Sequence, residues 1–275
     1  MSDSSVRPVI GVIGGVGPYA GLDLVRKIFD QTLARTDQDH LPVALLSLPS
    51  AIPDRTEYLL GREKTNPAIG IADVALQLER MGVRVAAIPC NTAHADAIFE
   101  SVLGELGKQQ SRLKMLHMIR EVVGFLQMEY PGLRRIGVLS TTGTYRARLY
   151  ARPLEEIGYQ VVAPDPAMQE AIVHPAIYHA QYGIKTRSNP VTGQARRGLE
   201  EAIRSLKRDG AEVIILACTE LPLAITEPSL YDLPMIDPTA ILARALIREV
   251  VADKLKPLPE PTGRAVVRTP FPASL

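Results

Sequence analysis

The 275 residues include no tryptophan and only two cysteines, and aromatic residues make up just 5%. Two cysteines in so long a chain make no disulfide framework. A chain of this size also buries an ample core without one, so both thiols are free for other work. Neither sign of charge dominates: 31 Lys and Arg against 30 Asp and Glu leave a net +1. That balance excludes a polybasic groove and an acidic tail, and it speaks against nucleic acid as a partner. Long apolar runs are missing, with nothing approaching the roughly 18 residues that would span a membrane. The opening MSDSSVRP also lacks the basic and then apolar stretches of a secretory signal. These absences predict a soluble cytoplasmic protein with no membrane partner. Metal spacing is lacking too: His94 lies four residues after Cys90 and His117 stands alone, so both are expected to be structural, with no metal bound. Gly14, Gly15 and Gly17 do not have the GxGxxG spacing of a dinucleotide fingerprint. No composite signature of a Schiff-base lysine with a phosphate cradle suggests pyridoxal chemistry.

What is present is alternation. Short β-branched runs, VIGVIGG from Val9, VALLSL from Val43, VAAIPC from Val85, IGVLST from Ile136, VVAPD from Val161 and VIILAC from Val213, are separated by helical patterns. Such alternation predicts βαβ units around parallel sheets, an α/β fold. Leu22, Val25, Phe29 and Leu33 mark the expected inner face of a helix opening near Pro18. Further helices are expected over 70–82, 94–107, 144–157, 197–208 and 239–254, with Pro153 kinking or shortening the one that contains it. Pro131 and Gly132 mark a crossing between domains, and LPMIDP from Leu233 marks a return. The expected division is residues 1–130 plus 236–275 against 131–235. The proline-rich stretch from Lys256 to Leu275 is read as a strap or a tail.

Two features then occur twice. A strand running into a small-residue turn is written IGVIGGVGP and again IGVLSTTGT. A strand running into Cys-Asn-Thr or Cys-Thr-Glu is written VAAIPCNT and again VIILACTE. Their similar separation in the two halves implies a duplicated α/β domain. Pseudo-twofold symmetry would then place Cys90 and Cys218 at equivalent strand ends facing one another, where open α/β sheets bind ligands. Backbone N–H groups of the following turns suit an anion and favour a thiolate. Inverting a carbon requires a base on one face and an acid on the other, exchanging roles for the reverse reaction. Two like residues related by symmetry meet that requirement, with hydrogen-bond donors stabilising the carbanion.

These motifs together, IGVIGGVGPYAG, DQDHLP, IPDRT, PCNTAHAD, STTGTYRARLY, YGIK and ACTELPL, resemble the aspartate and glutamate racemase family, its aspartate branch in particular. The resemblance implies two pseudo-twofold-related three-layer domains with mostly parallel four-stranded sheets, a site between them, a homodimer and no cofactor. It implies that Cys90 and Cys218 are the catalytic pair acting on a small acidic amino acid. It also implies that Asn91, Thr92 and Thr219 hold the α-carboxylate, while Arg55 and Lys185 hold the side-chain carboxylate. A guanidinium fork and a compact ammonium suit that task. Gly14, Gly15 and Gly17 offer close backbone approach to a ligand or a tight turn alone. Thr141 and Thr144 offer carboxylate binding mixed with helix capping. Glu220 is placed to orient the substrate ammonium, to tune Cys218 or to cap local backbone. Where many racemases of this branch carry a hydroxyl residue, this chain has Gly21, and where glutamate racemases carry histidine after the second Cys-Thr, it has Glu220. Dicarboxylate isomerisation, other racemisations and a silent binding role are the alternatives.

Overall fold

A computed structural model describes residues 8–258. Most of the proline-rich stretch read as a strap or tail, residues 259–275, lies outside the described residues. The strands β1 (Val9–Gly14), β2 (Val43–Ser47), β3 (Val83–Ala87) and β4 (Lys114–Leu116) form a wholly parallel sheet in the order β2-β1-β3-β4. A second sheet contains β5 (Arg135–Ser140), β6 (Gln160–Val162), β7 (Val213–Ala217), β8 (Ser229–Leu230) and β9 (Leu233–Ile236) in the order β6-β5-β7-β9-β8. Its first four strands repeat the topology of the first sheet. The expected four strands gain one antiparallel edge because Tyr231 and Asp232, with φ of 52° and 59°, turn a two-residue hairpin from β8 into β9.

Register supports the duplication more strongly than strand order does. Ile10 faces Val85 and Val12 faces Ala87 across β1 and β3; Ile136 faces Val213 and Val138 faces Ile215 across β5 and β7. Each pair joins the same positions of the two repeated motifs, so the internal echo is a structural equivalence. Parallel pairing then carries both cysteine turns to the carboxyl edges of their sheets.

Helices are α1 (Pro18–Gln31), α2 (Arg55–Leu59), α3 (Ala68–Arg80), α4 (Asp96–Lys108), α5 (Met118–Glu129), α6 (Thr142–Arg146), α7 (Ala151–Glu156), α8 (Pro166–Met168), α9 (His174–Tyr178), α10 (Gly193–Arg208), α11 (Leu221–Ala224) and α12 (Pro238–Val251). They cover both faces of each sheet. Ile71, Val74 and Leu78 of α3 and Ile98 and Val102 of α4 pack with Ile13 and Ala86, while Leu24 and Ile28 of α1 and Leu242 and Leu246 of α12 pack with Ile10 and Val12. On the second sheet, Leu199 and Ile203 of α10 cover Ile214 and Leu216, and Ile119, Val122 and Leu126 of α5 cover Ile136 and Ile215. The helix that follows β4 therefore packs on the second sheet, and the helix that follows β9 packs on the first. Among the described residues no helix is long and apolar enough to cross a membrane.

Two sequence expectations are corrected. The inner face of α1 is built from Ala20, Leu24, Lys27 and Ile28, whereas Leu22, Phe29 and Leu33 are 56%, 38% and 46% exposed, with Val25 half-buried. Lys27 disguised the true face: it is buried because Asp23 and Asp237 both ion-pair with it. The helix expected over 144–157 is two helices, α6 and α7, separated near Arg148, whose φ is 53°. Pro153 is the third residue of α7, where its missing N–H breaks no intrahelical bond.

Candidate active site

Between the two sheets lies a buried cavity of about 10 Å³ lined by Asp54, Arg55, Thr56, Cys90, Asn91, Thr92, Thr141, Tyr178, Lys185, Cys218, Thr219 and Glu220. Both cysteines are buried free thiols. Pro89, which cannot donate to a ladder, separates the end of β3 from Cys90, and a 3-10 turn over Asn91–His94 follows. Cys218 directly follows β7, and Thr219 and Glu220 lead into α11. Arg55 is the first residue of α2, whose N-cap Asp54 accepts from the backbone of Thr56 and Glu57.

Nine of the eleven residues singled out in the sequence meet in this cavity. Thr144 is not in its lining, but its hydroxyl lies 2.9 Å from that of Thr92, and its backbone N–H donates to Thr141, the N-cap of α6. Gly15 is turned elsewhere: at φ 86° it lies against the Leu48 backbone, and a Cβ there would come within 2.7 Å of it. The glycine that approaches the site is Gly17, where a Cβ would come within 2.6 Å of Glu220 Oε1. Its motif equivalent, Gly143, abuts Thr56 in the same way. Each half thus reaches the other through the same position of its repeated turn.

Cross-site hydrogen bonds tie the halves together. Tyr150 donates to Asn91 Oδ1 at 2.6 Å, Tyr178 donates to Thr56 at 2.9 Å, and Thr92 and Thr141 hydroxyls lie 3.1 Å apart. Two buried donors of the lining have no partner: Arg55 Nε and Asn91 Nδ2. An orphaned buried donor costs free energy until an acceptor arrives, so both groups are open to an acceptor entering the cavity. The remaining Arg55 nitrogens donate to the carbonyls of Val16 and Pro53 at 2.5 and 3.1 Å, which fixes the guanidinium plane.

Charge is unevenly distributed between the thiols. Glu220 Oε2 accepts from Cys218 at 3.0 Å and from Thr219 at 3.2 Å, while Oε1 accepts from Lys185 at 3.2 Å. Burial and the Glu220 charge push the Cys218 thiol well above its usual range, with Lys185 opposing. Burial also disfavours the Glu220 carboxylate, yet Lys185 and the Cys218 hydrogen bond hold it below the ordinary range. Burial pulls Arg55 down, but Cys90 and Asp54 leave it net raised and firmly charged. Behind Cys90, His94 Nδ1 donates to the Cys90 carbonyl at 2.8 Å and the ring stacks on Phe99, with His117 edge-on. Among the described residues no group of three or more His, Cys, Asp or Glu is arranged to hold a metal ion.

Sequence reasoning missed Asp54, Thr56 and Tyr178, and it named Gly17 only alongside Gly14 and Gly15. The first two stood beside Arg55 in IPDRT, and Gly17 stood in the first turn motif. Tyr178 closes a helical stretch left unassigned, although Asp165 before Pro166, a helix N-cap with proline at the first position, was a readable start signal.

Residues 13–246 match the family described as Asp/Glu/Hydantoin racemase. The broad specificity amino-acid racemase RacX of Bacillus subtilis is 27% identical over 89% of this chain and 99% of its own length. A glutamate racemase of Pseudomonas aeruginosa is 27% identical over 90% of this chain and 83% of its own. Among solved structures, the Picrophilus torridus aspartate racemase superposes with a TM-score of 0.73 at 29% identity, covering 88% of this chain and 94% of that one. An aspartate racemase homologue from Pyrococcus horikoshii gives 0.63 at 26% identity, over 88% and 98%. With the fold shared and the match spanning both halves, the chain belongs to the Asp/Glu/Hydantoin racemase family and is an isomerase.

Proposed function

We propose that this protein racemises an acidic amino acid, aspartate first, without a cofactor, using Cys90 and Cys218 as the base and acid on opposite faces of the α-carbon. The observation that carries this reading is the convergence of both thiols, from equivalent strand ends of opposite halves, on one buried cavity. One thiolate takes the α-proton, the C–H electron pair passes into the carboxylate as an enediolate, and the other thiol returns a proton to the opposite face. Asn91 Nδ2 and the hydroxyls of Thr92, Thr141 and Thr219 supply donors for the α-carboxylate, where the charge develops. Arg55 Nε and Lys185 supply the positive charge for the side-chain carboxylate. A homodimer is proposed on the resemblance alone, and light scattering tests it; a cytoplasmic location is proposed from the sequence pattern.

The test is proton NMR of L-aspartate and of D-aspartate in D₂O with purified protein and no added cofactor. Loss of the α-proton signal with formation of the other enantiomer is expected. Cys90→Ala and Cys218→Ala should each lose racemisation by roughly a hundredfold to ten-thousandfold, the usual value of a positioned acid or base. Full activity in either variant would end the two-thiol reading. Lys185 is already ion-paired with Glu220, and this favours a second reading in which one cation is spoken for and selectivity is broader, as the name of the Bacillus subtilis relative describes for that protein. Faster exchange of neutral or basic amino acids than of aspartate would select it.

A further inference from the structure

The duplicated halves are unlike at one position. The residue two after the cysteine is Thr92 in the first half and Glu220 in the second, and the two occupy equivalent places in the repeated motif. Thr92 turns its hydroxyl to Thr141 and Thr144. Glu220 instead turns back on its own cysteine, accepting from Cys218 Sγ at 3.0 Å. Among the described residues, the other charged or titratable groups lining its cavity are Asp54, Arg55, Cys90, Tyr178, Lys185 and Cys218. Lys185, on the segment after α9, pairs with it at 3.2 Å; Tyr178 of α9 lies beneath Lys185, 5.3 Å from ring centre to Nζ; Arg55 of α2 and Cys90 line the same cavity. Gly17 of the first half leaves room for Oε1, since a Cβ there would come within 2.6 Å of it. The Glu220 carboxylate is only 5% exposed, so its interaction with the thiol is weakly screened.

We propose that Glu220 is a positioning residue that holds the proton on Cys218 in the free protein, so that the two thiols enter catalysis in unlike states, Cys218 as the acid and Cys90 as the base. This rests on the two-thiol reading above. A carboxylate that accepts from the Cys218 S–H stabilises the protonated sulfur and repels the thiolate. Cys90 instead shares the cavity with the Arg55 guanidinium, a positive charge. In the forward direction Cys90 takes the α-proton, Cys218 donates its own, and the products are a Cys90 thiol and a Cys218 thiolate. The free protein then returns to its starting state by exchanging one proton each way with solvent. For one enantiomer the resting form is ready to react; the other needs the minor form. Because racemisation has an equilibrium constant of one, kcat/KM must be equal in the two directions. The asymmetry therefore appears as unequal kcat values matched by equally unequal KM values.

The experiment measures alkylation of each cysteine by iodoacetamide as a function of pH, with the labelled site identified by peptide mass spectrometry. In Glu220→Gln the midpoint for Cys218 should move down by about one unit or more, a tenfold change in thiolate fraction per unit, while the Cys90 midpoint stays in place. Lys185→Met, which strips the carboxylate of its cation, should move the Cys218 midpoint the other way, and it keeps the test available if the first variant does not fold. The kcat values of the two directions should converge in Glu220→Gln. An unmoved Cys218 midpoint in both variants, or equal movement of both cysteines, would overturn the proposal. Because alkylation is read without turnover, loss of the two-thiol reading through active cysteine variants would be recognised separately.

Discussion

At the scale of single residues, the site is held by groups whose burial is tolerated because of what they touch. His94 is the clearest case outside the catalytic machinery: burial, then the neighbouring His117, lowers its pKa to about 3. The unfolded chain would protonate the same ring near 6.5, so between those values the unfolded state binds more protons and stability falls as pH falls. The contribution is complete above about 6.5 and is lost down to about 3. A slope of about 1.4 kcal/mol per pH unit is expected from this one ring inside that window. Urea midpoints measured at pH 7, 6 and 5 should decline, and His94→Gln should decline less steeply; parallel declines would show that other groups dominate. Residue identities were well legible at this scale. Cys90, Cys218, Asn91, Thr92 and Thr219 line one cavity because strand-end motifs keep their side chains near the sheet edges, and Arg55 and Lys185, named through the family resemblance, line it too. Tyr178 was not legible, because a tyrosine in an unassigned stretch carries no local signal of what it will face.

At the scale of elements, helix ends decide more than helix interiors. Asp237 caps α12 by accepting from the N–H groups of Thr239 and Ala240 at 2.8 and 3.1 Å, and it also ion-pairs with Lys27 of α1. Asp237→Ala removes a cap, about 0.5–2 kcal/mol, and leaves Lys27 with Asp23 alone. A loss of roughly 2 kcal/mol in urea titration is expected, whereas a loss within a few tenths would show that Lys27 and α12 find other partners. Strands were readable as periodic apolar runs, and the proline and glycine punctuation placed the turns. The inner face of α1 was misread because Ala20 is small and Lys27 is charged, so the buried stripe looked weaker than the exposed one made of Leu22, Phe29 and Leu33. The short strands β4 and β9, of three and four residues, carried too little period to be identified.

For the whole molecule, α5 and α12 interlock the halves. We propose residues 1–130 plus 236–275 and residues 131–235 as two folding units, the first keeping α12 on its own sheet and covering the second sheet with α5. Helix α12 buries Leu242, Leu246 and Ile247 on the first sheet and Ile241 toward the second, and α5 covers one face of the second sheet, so the second sheet does not keep both faces covered alone. Unfolding in urea should then be a single transition, with far-UV circular dichroism and tyrosine fluorescence coinciding; the absence of tryptophan makes tyrosine the usable probe. Two separated transitions would mean that the units are independently stable. The cavity volume bears on access: about 10 Å³ holds roughly one water, so the proposed substrate needs a wider cavity than this one. The sequence by itself determined the α/β class, the duplication and the two thiol turns, because apolar period, turn chemistry and motif order are local properties that survive in one dimension. Only the tertiary structure decided which donors stand unpaired, that Gly17 rather than Gly15 makes room at the site, and that Glu220 turns to Cys218. Those facts depend on contacts between segments far apart in the chain, where packing and burial select one arrangement among many that the same local pattern allows.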